Sequence, residues 1–125
     1  MPEIEKIAVI DCQIAGVSGD MFLGALIDLG ANINKIVSAI KSLEDPDTGY
    51  KNIKVDIKQV MKREFKATSI DVTAEFTPKM EGNKLIDMVE KSLQTLELSE
   101  KAKHFASNVI HTLVSAEATL HRTNL

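Results

Sequence analysis

Residues able to do chemistry gather towards the two ends of the chain. Near the start, Asp11, Cys12, Gly16, Ser18, Gly19 and Asp20 follow the apolar run Ile7-Ala8-Val9-Ile10. An acidic side chain at a strand's carboxyl end, a Gly-containing loop and a helix start together make a ligand crevice. Gly16 and Gly19 let a ligand approach the backbone, and the first N–H groups of a helix can hydrogen-bond a phosphate or carboxylate. Asp11 and Asp20 would repel such an anion unless a divalent cation sat between them. The plainer account is that Ser18 or Asp20 caps the helix and the glycines only make the turn. The loop matches neither the Walker A sequence nor the dinucleotide fingerprint, so the residue types leave both accounts open. Cys12 reads as a small loop residue, because two nearby carboxylates oppose a thiolate.

Near the other end stand Glu117 and His121. Spaced i, i+4, they differ by about 40° around a helix and could bind a metal ion. Two ligands make half a site, and an ordinary helix-end pair is the alternative. His104 and His111 lie within roughly 20° of each other, two turns apart and opposite the stripe Phe105, Val109, Leu113, Ala116 and Leu120. They are expected to face solvent. Lys58, Lys62, Arg63 and Lys66 form a basic cluster, either a solvated turn or a dock for an anionic partner.

The elements that must position these residues follow from periodicity and punctuation. Lys6 to Ile10 reads as a short strand, its Ile7-Ala8-Val9-Ile10 a continuous apolar run as in a strand covered on both faces. A helix is predicted from about Asp20 to Leu29, with Phe22, Leu23, Leu26 and Leu29 on its apolar side and Gly30 as a left-handed C-terminal residue. Asn32 or Asn34 can cap a second helix carrying Ile33, Ile36, Val37, Ile40 and Leu43. Glu44-Asp45-Pro46-Asp47-Thr48-Gly49 breaks the chain. Ile53, Val55 and Ile57, then Ile70, Val72, Ala74 and Phe76, alternate with polar residues as strands with one buried face do. The segment Lys62-Arg63-Glu64 suggests a hairpin with a long turn. After a second break at Pro78 to Asn83, a helix carries Leu85, Met88, Val89, Leu93 and Leu96. Ser99 caps a final helix running to about His121. The expected order is β-α-α-β-β-α-α, an α+β two-layer domain over residues 1–125 with a small mixed sheet of about three strands.

Composition narrows the classes. The chain has 125 residues, 44% hydrophobic and 26% charged, with a formal net charge of −3. That acidity and the five aromatic residues argue against a nucleic-acid surface, which needs a basic stripe or a stacking platform. One cysteine excludes an intramolecular disulfide framework and fits a reducing cytoplasm. No apolar stretch is long enough to span a membrane, so neither nucleic acid nor membrane is an expected partner.

The two terminal motifs carry a resemblance. Asp11-Cys12, then Ala15-Gly16-Val17-Ser18-Gly19-Asp20-Met21-Phe22-Leu23-Gly24-Ala25-Leu26-Ile27-Asp28-Leu29-Gly30, resembles the opening of the nickel insertion protein family. Its pattern there is G-x-[SA]-G-D-M-x-x-[GA]-A-L-x-D-L-G. Ala116-Glu117-Ala118-Thr119-Leu120-His121 is similar to the family's A-E-A-x-x-H segment, which a glycine commonly follows where Arg122 stands here.

The resemblance implies a role in making the nickel-pincer nucleotide cofactor of lactate racemase. Family members insert nickel into a pyridinium bis-thiocarboxylate mononucleotide, form a carbon–nickel bond, and consume CTP with Mn or Mg. It implies that Asp11 and Asp20 act in the reaction, that Gly16, Ser18 and Gly19 line the cofactor pocket, and that Glu117 and His121 meet the metal. Family members are considerably longer, so this chain is expected to be an amino-terminal domain, inactive alone as a nickelochelatase, with the CTP site in the missing carboxy-terminal part. The alternatives are a non-catalytic assembly or partner-docking domain, such as a homo-oligomer would use, and a small phosphate- or nucleotide-binding module.

Overall fold

A computed structural model of the chain describes residues 7–76 and 81–122. Six elements follow in order: α1 (Gly19–Asp28), α2 (Ile33–Lys41), β1 (Tyr50–Lys62), β2 (Phe65–Phe76), α3 (Gly82–Thr95) and α4 (Glu100–His121). The α+β class holds, with the order α-α-β-β-α-α. The sheet is the two-stranded hairpin β1-β2, not the expected mixed sheet of about three strands.

The leading strand is the first correction. Lys6 lies outside the described residues, and Ile7–Ile10 has no regular structure. Ile7 and Val9 are 84% and 89% exposed. A strand exists only when its N–H and C=O groups meet a neighbour's, and no described strand runs beside this segment. Among the described residues, its β-prone composition therefore has no strand to pair with.

The hairpin is longer than its apolar alternation suggested, and its turn is shorter. Only Arg63 and Glu64 separate the strands, with Arg63 in the left-handed region at φ +56°. Counting back from this turn sets Gln59 opposite Thr68, and the Gln59 amide donates to the Thr68 hydroxyl at 2.8 Å. The same count would set Tyr50 beyond Phe76, yet the two rings stack with centroids 4.7 Å apart. The left-handed Asn52, at φ +52°, lies between, and an extra bulge residue there accounts for the one-residue shift. The shift brings Tyr50 onto the face that carries Ile53, Val55 and Ile57.

The chain divides into two compact units. The first joins the residues up to Ala31 to the turn half of the hairpin, Asp56–Asp71. Here α1 ends as its sequence requires. Gly30, at φ +97°, donates to the Ile27 carbonyl and Ala31 to that of Leu26, both at 3.0 Å. That is the paired closure of a left-handed C-terminus. Ile27 and Ile70 are buried, whereas Leu29, expected on the apolar side, is 82% exposed.

The second unit holds Asn32–Val55 and Val72–Leu125. Asn32 caps α2 by accepting from the Lys35 N–H at 3.1 Å. Ser99 caps α4 by accepting from the Ala102 N–H at 3.2 Å. Pro78 and its neighbours up to Met80 lie outside the described residues. α3 packs against α4, and Leu93, Ile110 and Val114 are buried.

The face α4 buries corrects the sequence reading. Ile110 and Val114 lie roughly a third of a turn around the helix from the Phe105 to Leu120 stripe. Phe105, Val109, Leu113 and Leu120 are at least half exposed. The Glu90 carboxylate of α3 fixes the chosen face by accepting the Ser107 hydroxyl. His111 reaches the same carboxylate at 3.6 Å, so it is not a purely solvated residue. His104 is exposed, as expected, and its Nε2 lies 3.2 Å from Asn108 Nδ2.

Candidate functional site

The loop that precedes α1 is shaped by its own short-range bonds. Asp11 Oδ1 accepts from the Gln13 N–H at 3.0 Å, the local turn that aspartate favours. The Gly16 N–H then closes on the Cys12 carbonyl at 2.9 Å, with Gly16 at φ +66°, where a side chain would be strained. Ser18 occupies the N-cap position with extended backbone, but its side chain caps no backbone N–H. Instead its hydroxyl donates to the Asp20 carboxylate.

That bond sets the electrostatics of the helix start. The Ser18 hydroxyl, and after it the Met21 N–H, hold the Asp20 carboxyl below its ordinary value of 3.8. Asp20 is thus a fixed negative charge in the first turn, where a helix N-terminus favours one. A free phosphate would meet a carboxylate already in place. The arrangement suits a cation, or a ligand with a cationic part, better than a bare anion.

Asp11, Gly16, Ser18, Gly19 and Asp20 are all exposed and Cys12 is half-buried. Among the described residues, they bond to one another and to adjacent backbone, and none bonds to a packed core. The later half of the same motif behaves differently. An ideal Cβ on buried Gly24 would stand 2.5 Å from the Thr68 carbonyl oxygen, so the helix backbone lies directly against β2. The Thr68 hydroxyl donates to the Asp28 carboxylate at 2.9 Å, extending the relay from Gln59. Gly24, Asp28 and Gly30 therefore fix α1, and the side chains of Asp11, Ser18 and Asp20 are left at its open end.

Glu117 and His121 belong to the second unit. His121 Nε2 lies 3.2 Å from Glu117 Oε2, both side chains well exposed near the end of α4. The pair expected from i, i+4 spacing is thus formed. Arg122 closes the helix in the left-handed region at φ +51°. Among the described residues, no group of three or more His, Cys, Asp or Glu side chains could hold a metal ion. The pair offers two donors and no more. Lys58 of the basic cluster pairs with Asp56 at 3.2 Å, and the remainder is exposed around the turn.

Sequence reasoning missed three groups. Thr68 and Gln59 carry no local signal, because their role depends on α1 lying across the hairpin. Glu90 stands among apolar residues of α3, and that position was the available hint. Asp45 and Asp47 read only as a chain break.

Comparison with known proteins agrees with the motifs. The family model described as "Nickel insertion protein" matches residues 8–125. A pyridinium-3,5-bisthiocarboxylic acid mononucleotide nickel insertion protein of Geobacillus kaustophilus is 34% identical over 129 aligned positions, covering 93% of this chain and 28% of that protein. One of the same name from Akkermansia muciniphila is 30% identical over 120, covering 92% and 28%. A protein of Methanothermobacter thermautotrophicus named for nickel insertion is 32% identical over 119, covering 95% and 28%. The chain thus spans little more than a quarter of the length of these relatives. No solved structure matches.

Proposed function

Because the chain belongs to the nickel insertion protein family, we propose that residues 1–125 form the amino-terminal domain of a protein that inserts nickel into a pyridinium bis-thiocarboxylate mononucleotide. The observation that carries this reading is the family match over residues 8–125, with the motif's charged loop left exposed at the start of α1. Nickel is the substrate. Glu117 and His121 supply one oxygen and one nitrogen donor, too few to trap the ion and enough to hold it in passing. The nucleotide's two sulfurs are softer donors that take it over.

Formation of a carbon–nickel bond expels the proton of the ring carbon. In this reading Asp11 accepts that proton, while Asp20, kept anionic by Ser18, holds the pyridinium cation. Gly16, Ser18 and Gly19 line the nucleotide's approach. CTP and Mn or Mg act at a site beyond this chain, and the setting is cytoplasmic. Among the described residues no helix is long and apolar enough to cross a membrane.

The test is nickelation of the mononucleotide by the nickel-inserting protein that contains this chain. Asp11→Ala and Asp20→Ala should each slow it by at least tenfold, and Glu117→Gln with His121→Gln should weaken nickel uptake in a metal titration. Unchanged nickelation in both aspartate variants would make the loop purely structural. A second reading, an assembly domain, draws on the exposed Phe105, Val109, Leu113 and Leu120 of α4. A concentration-independent monomer in light scattering would end it.

A further inference from the structure

The segment that leads into the α1 loop is apolar and open to water on every side. Ile7, Ala8, Val9 and Ile10 are all exposed. In the loop that follows, Ile14 is 99% exposed and Val17 more than half so. Among the described residues, no hydrogen bond engages the backbone of Ile7–Ile10. An apolar run with free N–H and C=O groups is a template for strand pairing, and folded proteins keep such runs covered.

The pattern of the run says what kind of cover it needs. A strand with one face in water alternates apolar and polar residues; a continuous apolar run belongs to a strand buried on both faces, as parallel strands are. The hairpin cannot supply that cover. Ile53, Val55 and Ile57 of β1 alternate with Lys54, Asp56 and Lys58, and Ile70 and Val72 of β2 with Asp71 and Thr73. A sheet extended from either outer edge of the hairpin would leave one face of Ile7–Ile10 wet. A second copy of the chain brings the same hairpin, with the same polar face. The Geobacillus relative, by contrast, has 72% of its length beyond the 28% that this chain covers. That length is ample for further strands and for layers on both sides of them.

We infer that Ile7–Ile10, which is no strand within these 125 residues, becomes one in a sheet supplied by the rest of the intact nickel-inserting protein. The inference rests on the proposed reading of residues 1–125 as an amino-terminal domain. Strand addition provides main-chain hydrogen bonds, while Ile7 and Val9 fill one side of the sheet and Ala8 and Ile10 the other. Asp11 follows directly. Docking therefore puts its carboxylate at the carboxyl end of a sheet strand, where open α/β sheets bind their ligands. The turn from Asp11 to the Gln13 N–H and the closure of Gly16 on Cys12 then hang from a fixed point. The α1 loop supplies one wall of the site and the docked sheet the other.

The test compares amide hydrogen exchange over Ile7–Ile10 in chain 1–125 and in the intact protein. These amides should exchange at least about a hundredfold more slowly in the intact protein, at a rate independent of its concentration. Equal exchange in the two overturns the inference, whether both are fast or both protected. Protection that vanishes on dilution overturns it too, because a second copy would then be the cover. Val9→Lys and Ile10→Lys place a charge on opposite faces of a strand. Each should lower the melting temperature of the intact protein and leave that of chain 1–125 unchanged, since both positions are exposed there. An intact protein as stable as its parent with either lysine overturns the two-sided cover. Such failures leave the nickel-insertion reading standing, because nickelation by the Asp11 and Asp20 variants decides that reading. Unchanged nickelation in those variants, with Ile7–Ile10 protected, would overturn the roles of the loop and leave the strand in place.

Discussion

Replacing Gly24 tests the contact on which the placement of α1 depends. A Cβ at this buried position would stand 2.5 Å from the Thr68 carbonyl oxygen, against about 3.3–3.6 Å for a close carbon–oxygen contact. Nearly 1 Å must therefore be found, and the obstacle is strand backbone tied into a hairpin rather than a side chain that can turn away. Overpacking of this kind costs about 1–3 kcal/mol. Alanine regains about 1 kcal/mol of helix propensity over glycine, so Gly24→Ala should lose no more than about 2 kcal/mol. Valine regains only a few tenths of a kcal/mol and adds two methyl groups. Gly24→Val should therefore lose about 2 kcal/mol or more, lowering the melting temperature by roughly 6–10 °C for a chain of this size. Thermal and guanidinium denaturation followed by circular dichroism measures the loss. Hydrogen exchange should place it in α1 and around Thr68. Gly19→Ala is the control, because a Cβ there meets nothing within 4 Å. A Gly24→Val protein as stable as its parent, with unchanged exchange at both places, would refute the packing argument.

Three further outcomes follow from local geometry. Arg63 holds a left-handed conformation that glycine adopts without strain, so Arg63→Gly should stabilise the hairpin by up to about 1 kcal/mol after the added unfolded-state entropy; a lower denaturation midpoint would contradict this. Ser18→Ala removes the largest influence depressing the Asp20 carboxyl, so its titration, followed by carbonyl NMR, should move up towards 3.8. The sign for stability follows from linkage: a depressed folded value means the contribution of Asp20 is present above 3.8 and lost as pH falls through that lower value. Ser99→Ala deletes the cap on α4 and should cost about 1 kcal/mol, with early exchange of the Ala102 amide as its local sign.

Local chemistry was legible in the sequence wherever a residue acts on its own neighbours. Gly30 ends α1, and Asn32 and Ser99 start their helices, because each signal lies within a turn of the place it acts. What could not be read depends on partners distant in sequence. Ile7–Ile10 has the composition of a strand, but composition supplies no neighbouring ladder. The stripe on α4 is apolar, yet whether it or the Ile110–Val114 face is buried depends on how α3 lies, with Glu90 holding Ser107 and His111. The bulge at Asn52 shows itself only through the stacking of Tyr50 on Phe76. For the candidate site, the Glu117–His121 pair was readable from spacing. The bond from Ser18 to Asp20 was not, because a serine before a helix ordinarily caps the backbone.

The opening motif divides by role, and the division bears on function. Gly24, Asp28 and Gly30 act on the hairpin or on the helix end, and each has a structural partner that explains its type. Among the described residues, Asp11, Ser18 and Asp20 have no such partner beyond their own loop. Asp11 makes the local turn and Asp20 suits the first turn of a helix, and both carboxylates stay exposed to whatever approaches the loop. The two halves are nonetheless linked mechanically. Ten residues of helix span about 15 Å, so the anchor at Asp28 and Thr68 sets where Ser18, Gly19 and Asp20 are presented. Loss of that anchor in Thr68→Val should therefore weaken whatever the loop binds while leaving the titration of Asp20 unchanged, since the Ser18 bond that governs it lies at the other end of α1. A loop with a structural role only would leave binding unaltered as well.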